Sequence, residues 1–99
     1  MSPESSFDAL AADALAWPGV TRRMMFGRDT LLAEGHPFAF RDGDQLALKL
    51  PDATDLVARG EGTTPVMGRR AMRQWVAVPL EASSGLAERL EAARRFVNH

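Results

Sequence analysis

The stretch Phe38-Ala39-Phe40-Arg41-Asp42-Gly43-Asp44-Gln45-Leu46-Ala47-Leu48-Lys49-Leu50 decides the fold of this chain. In its second half Leu46, Leu48 and Leu50 recur at every second position, with Gln45, Ala47 and Lys49 between them. That is the period of a strand with one apolar face. Phe38-Ala39-Phe40-Arg41 alternates in the same way. Asp42-Gly43, between the two runs, has the composition of a two-residue hairpin turn in which both positions need positive φ. A hairpin with one apolar face requires a second layer to cover that face.

Outward from the hairpin, other elements follow from spacing. Toward the N-terminus, Val20–Phe26 and Leu31–Glu34 read as strands, the second closed by Gly35-His36-Pro37. Before them a helix is expected from about Glu4 to Trp17, with Phe7, Leu10, Ala11, Ala14 and Leu15 as its apolar stripe. Ser5 and Asp8 resemble a capping box, and Pro18-Gly19 ends the helix. Toward the C-terminus a short helix spans Asp52–Arg59, starting at Pro51-Asp52 and stopping at Gly60, with Leu56 and Val57 as its buried contacts. Glu61–Pro65 is a loop, Val66-Met67-Gly68 a brief strand, Arg69-Arg70 a turn, and Met72–Val78 a return strand. Ser84–Val97 forms the last helix, with Leu86, Leu90, Ala93 and Val97 on one face. The expected architecture is an α+β two-layer sandwich, an antiparallel sheet with helices in the order α-β(3-4)-α-β(2)-α. Leu46, Leu48, Leu50, Val76 and Val78 pack against the first and last helices. One domain covers residues 1–99.

Composition narrows the function. The chain is 45% hydrophobic and 25% charged, as in globular rather than disordered proteins. With no cysteine, a disulfide framework, a thiolate zinc site and a cysteine nucleophile are excluded. No apolar run approaches membrane-spanning length, and the Met1–Ser6 segment has no secretory character, which together predict a soluble cytoplasmic protein. Net charge is −1, so bulk electrostatics give no reason to expect nucleic-acid binding. The distribution is uneven. Arg22, Arg23 and Arg28, and then Arg69, Arg70 and Arg73, fall in two acid-free stretches that leave a net −7 for the rest of the chain. Solvated strand faces account for such runs, and so does an interaction surface.

Reactive groupings are scarce. His36 lies in an expected turn without a partner that would orient a general base, and His99 is terminal. Asp42 and Asp44 flank Gly43, where aspartate is favoured by the turn itself. Ser83-Ser84 and Ser5-Ser6 precede helices and read as caps. Gly60-Glu61-Gly62-Thr63-Thr64 lacks the closing Gly-Lys-Ser/Thr of a phosphate loop and leads into a proline and a strand. The five methionines, Met1, Met24, Met25, Met67 and Met72, either fill the core or line an adaptable surface. Trp75 falls on the strand face opposite Val76 and Val78. There it either anchors an interface or is covered by an end helix.

A set of segments carries a family likeness: Arg22-Arg23-Met24-Met25-Phe26-Gly27, then Gly35-x-Pro37-Phe38-Ala39, then Asp42-Gly43-Asp44-x-Leu46-x-Leu48-Lys49, and finally Pro65-Val66-Met67-Gly68-Arg69-Arg70-Ala71-Met72-Arg73-Gln74-Trp75-Val76-Ala77-Val78-Pro79. Together they resemble the N-terminal domain of the TfoX/Sxy family, named for regulators of bacterial natural competence. The likeness covers roughly residues 7 to 97. It implies a two-layer α+β fold and a regulatory role, and it transfers no catalytic residue. The family's frequent Gly-Gly after Met-Phe is here Gly27-Arg28, and the chain stops at His99 without the separate C-terminal domain of the full-length regulators.

The expected function is a non-enzymatic regulatory or protein-interaction module that binds a protein partner or itself, with no cofactor, metal or membrane association. Its candidate interaction surface is Arg22, Arg23, Arg28, Arg69, Arg70, Arg73 and Trp75. One alternative is nucleic-acid binding through the arginines, with Trp75 stacking a base; the acidic balance and the lack of a groove-reading helix oppose it. The other is small-molecule binding between sheet and helices, for which no orienting polar groups stand out.

Overall fold

A computed structural model describes residues 2–81 and 85–98. Chain order is α1 (Pro3–Ala14), β1 (Val20–Met25), β2 (Arg28–Ala33), β3 (His36–Asp42), β4 (Gln45–Lys49), α2 (Ala53–Ala58), β5 (Val66–Met67), β6 (Arg70–Ala71), β7 (Trp75–Pro79) and α3 (Leu86–Val97). Five strands form one antiparallel sheet in the order β1-β2-β3-β4-β7, and β5-β6 is a separate two-stranded ribbon. The expected α+β class and antiparallel sheet are both present.

The period-two leucines act as read. Leu46, Leu48 and Leu50 join Val76 and Val78 in one core, which is closed by Phe7, Ala11 and Ala14 of α1 and by Leu86, Leu90 and Ala93 of α3. Val97 is only half-buried against this core, and Leu15 is 44% exposed because α1 ends before it. Ser2 rather than Ser5 caps α1: its hydroxyl oxygen accepts from the Ser5 N–H at 3.1 Å. Pro3 is already shaped for the first turn, so the helix starts early. It closes with the tighter bonds Ala16 N–H to Asp13 O and Trp17 N–H to Ala14 O, ending at Ala14 and not at Trp17. The Ser83-Ser84 cap expected for the last helix lies outside the described residues.

Three hairpin turns set the sheet, all of them displaced from their expected places. Phe26-Gly27 and Glu34-Gly35 link β1 to β2 and β2 to β3 with both residues at positive φ, +53° and +76° in the first and +50° and +81° in the second. This is the type I′ pattern that matches strand twist. Because Glu34 takes a left-handed position, His36 and Pro37 belong to β3 rather than to a turn. Because Gly27 completes the first turn, β2 begins at Arg28, three residues before Leu31. The third turn is Gly43-Asp44 and not Asp42-Gly43, since Asp42 pairs with Gln45. Only Gly43 has positive φ there, as in a type II′ turn.

A bulge separates the Leu31–Ala39 and Leu32–Pro37 pairs and leaves Phe38 as the extra residue. The insertion turns Phe38 to the same side as Ala39, and both are fully buried in the helix-side core. Pro37, which has no N–H to donate, sits where the ladder is interrupted.

The expected Met72–Val78 strand is divided. Pro65 O accepts from the Met72 N–H, closing the β5-β6 ribbon around Gly68-Arg69, and the Trp75 N–H bonds to Met72 O in a turn before β7 starts. The Glu61–Pro65 loop contributes Thr63, which exchanges hydrogen bonds of 3.0 and 2.8 Å with Ala77 and covers the outer side of β7. Gly62 permits that approach: a Cβ there would lie 2.5 Å from Val76 Cγ2 and 2.7 Å from Ala77 O. The outer side of β1 pairs with no other described strand.

Candidate functional site

The helices cover one face of the sheet. On the other face Phe40, Ala47 and Trp75 form a second, smaller cluster with Met72 against it. The pairs Phe40–Ala47 and Lys49–Trp75 put these side chains on the side away from Leu46 and Leu48, as the alternation requires. Trp75 is therefore on the back face, as parity places it, yet it is only 9% exposed. Its cover is not an end helix. It packs on Phe40 with ring centroids 5.1 Å apart at 48°, and Met72, at the base of the β5-β6 ribbon, lies over the cluster.

Beside this cluster lies a groove of about 140 Å³. Met25, Phe26, Arg28 and Thr30 line it from the β1-β2 hairpin, Pro37 and Phe40 from β3, and Met67, Met72 and Trp75 from the ribbon and β7. Both arginine-bearing stretches thus contribute to one wall-to-wall apolar cleft. Methionines suit such a surface because an unbranched, polarizable side chain adapts to what it meets. Thr30, at the floor, satisfies its own hydroxyl by donating to Arg28 O at 3.1 Å.

Phe26 is the anomaly. It is 78% exposed, and its φ is +53°. An L side chain in the left-handed region costs about 1–2 kcal/mol, and the described residues leave most of the ring uncovered. Beside it Met24 is 65% exposed, and Val66, on the ribbon face opposite Met67, is 52% exposed. The sequence reading, which took Phe26 as the end of a strand, missed it; Gly27 was the signal that a tight turn must include the residue before it.

The arginines divide by register. Arg22 shares the helix-side face with Val20. Its guanidinium clasps Asp29 through Nε at 2.8 Å and Nη2 at 2.6 Å, reaches Asp8 at 2.6 Å and lies 5.4 Å from the Phe7 ring. These bonds hold the Asp29 carboxyl below the usual carboxylate range and raise the Arg22 value further. Arg22 is thus a structural clasp, away from the groove. Arg23 pairs with Thr30 and so shares the groove face. Arg28 stands over the Phe40 ring at 5.6 Å and 3.5 Å from Asp42. Arg70 pairs with Met67, on the groove side of the ribbon. Arg69 is at the ribbon's turn, and Arg73 follows Met72, its carbonyl accepting from the Thr54 hydroxyl at 3.3 Å. Arg23, Arg69, Arg70 and Arg73 are exposed and form no ion pair among the described residues.

Several other polar residues have ordinary surroundings. Glu61 of the glycine-rich loop pairs with Arg59 and Arg89, and Asp44 O caps Leu80 N–H. His36 is exposed at the start of β3. Among the described residues no three His, Asp or Glu side chains gather as metal ligands, and no helix is long and apolar enough to cross a membrane. None of the protein-family models compared with this chain matches it, and neither does any curated protein.

Proposed function

We propose that this chain is a non-enzymatic, cytoplasmic protein-interaction module of the kind its likeness to the TfoX/Sxy N-terminal domain implies, and that it docks a partner segment in the back-face groove. Phe26 carries this reading: a strained backbone and an exposed aromatic ring together, at the mouth of a methionine-lined cleft, are costs that a bound partner offsets. The groove's size argues for a side chain of a partner over a free small molecule, because cavities that bury drug-sized ligands measure about 300–1,000 Å³ and this one holds about 140 Å³. Trp75 serves as the floor of the site. Trp75 is too covered to stack a base, at 9% exposed.

The test is selection of random peptides displayed on phage against the intact chain. Enriched peptides that compete with one another and lose affinity for Phe26→Ala and Met67→Asp variants support the reading. Failure to enrich any peptide, or equal binding to both folded variants, refutes it.

A further inference from the structure

The groove is apolar inside and cationic around its rim, and that combination says what its occupant carries. Three strands each bring one arginine to the groove face: Arg23 from β1, Arg28 from β2 and Arg70 from β6. Arg28 is shared with Asp42, at 3.5 Å, but Arg23 and Arg70 have no carboxylate partner among the described residues. Arg69, at the ribbon turn, and Arg73, after Met72, are also exposed. Asp29 and Asp42, the acids on the strands that carry Arg28 and Phe40, are held by Arg22 and Arg28.

We infer that the partner segment is acidic, with one apolar anchor side chain entering between Phe26 and Met67 and flanking carboxylates facing Arg23, Arg28 and Arg70; this rests on the docking reading above. Guanidinium groups recognise carboxylates bidentately, and charge complementarity selects the partner and speeds encounter. A second copy of the chain is a poor occupant. Its outer strand is β1, and antiparallel pairing of two β1 strands that keeps both groove faces on one side and centres on Arg23 sets the two Arg23 side chains opposite each other. Like charges directly opposite are destabilising, so the arginines guard this edge against self-pairing.

The strongest peptide from the display selection, labelled with fluorescein, is titrated by anisotropy with the chain. A version with every Asp and Glu changed to Asn and Gln is titrated beside it. A single-stranded oligothymidylate provides polyanionic charge without an anchor. The inference requires acids on both sides of an apolar residue in the enriched peptides. The neutral version should bind about tenfold more weakly, and raising salt from about 50 to 300 mM should weaken the acidic peptide alone. The Arg23→Glu/Arg70→Glu double variant should lose about tenfold for the acidic peptide and change little for the neutral one. Both positions are exposed, and circular dichroism verifies that the variant is folded. Enriched peptides that are neutral or basic yet still depend on Phe26 overturn the acidic partner while leaving the docking groove intact. Tighter binding of the oligothymidylate than of the peptide overturns it in favour of nucleic acid. No peptide binding at all overturns both.

Discussion

Replacing Phe26 with asparagine separates the cost of this residue to the fold from its value to binding. At φ +53° the phenylalanine bears about 1–2 kcal/mol of left-handed strain, most of which asparagine avoids because it tolerates that conformation. With 78% of the residue exposed, the packing lost is about a fifth of a ring that can bury roughly 200 Å². That is about 1 kcal/mol at about 25 cal/mol per Å². The two effects nearly cancel and leave a net change between zero and about 1 kcal/mol in favour of the variant. For a domain of this size, 1 kcal/mol moves the midpoint of thermal unfolding by about 4–8 °C. The Phe26→Asn chain should therefore melt at the parent temperature or a few degrees above it, as read by circular dichroism. If Phe26 is the anchor of an interface, its removal costs about 2 kcal/mol of binding, roughly thirtyfold, to any peptide that selects the groove. A chain that melts more than about 4 °C lower makes Phe26 a structural residue. One that binds unchanged removes it from the site. Either result refutes the reasoning.

Gly62→Ala should destabilise the fold by about 1–3 kcal/mol, since the new methyl overlaps Val76 and the Ala77 carbonyl; urea unfolding measures it, and amide exchange should show Thr63 and Ala77 losing protection first. Asp29 binds Arg22 with its carboxyl held low, so its contribution to stability is complete above about pH 4 and is lost as pH falls through the lowered value. Asp29→Asn should accordingly be less stable at pH 7 and show a shallower loss on acidification than the parent; equal pH profiles would contradict the clasp. Among the described methionines, mild peroxide should oxidise Met24 first, at 65% exposed, then the half-buried Met25, Met67 and Met72. Peptide binding should fall as the latter three become sulfoxides, because a polar oxygen enters the apolar wall; mass spectrometry alongside anisotropy checks the correspondence.

The helix-side core was legible because its signal is local. Leu46, Leu48 and Leu50 repeat with strand period, and Leu86, Leu90 and Ala93 with helix period, so each element announces its buried face without knowledge of its neighbours. The back face was legible only by parity. Alternation placed Trp75 opposite Val76 correctly, but its burial depends on Phe40 and Met72, contacts that no single stretch of sequence encodes. The β5-β6 ribbon has two residues in each strand, too few for any periodicity, so Met72 read as the start of a longer strand. The arginines show the same division. Arg22 and Arg23 are adjacent and equivalent in composition, yet the pleat sends one to Asp8 and Asp29 and the other to the groove face. Turn positions were misread by one to three residues: Phe26 and Glu34, rather than glycine, took the first positive φ in two turns, and in the third Asp42 stayed in the ladder so that Gly43 opened the turn.

The methionine methyl groups allow the most direct test of the docking groove. Carbon-13 methyl spectra of the chain, titrated with a groove-selected peptide, should show Met25, Met67 and Met72 shifting together and saturating at one affinity, with the Phe26→Asn variant needing roughly thirtyfold more peptide for the same response. Shifts centred instead on the helix face, around Leu15 and Phe96, or methionine signals that stay fixed while the peptide binds, would contradict it.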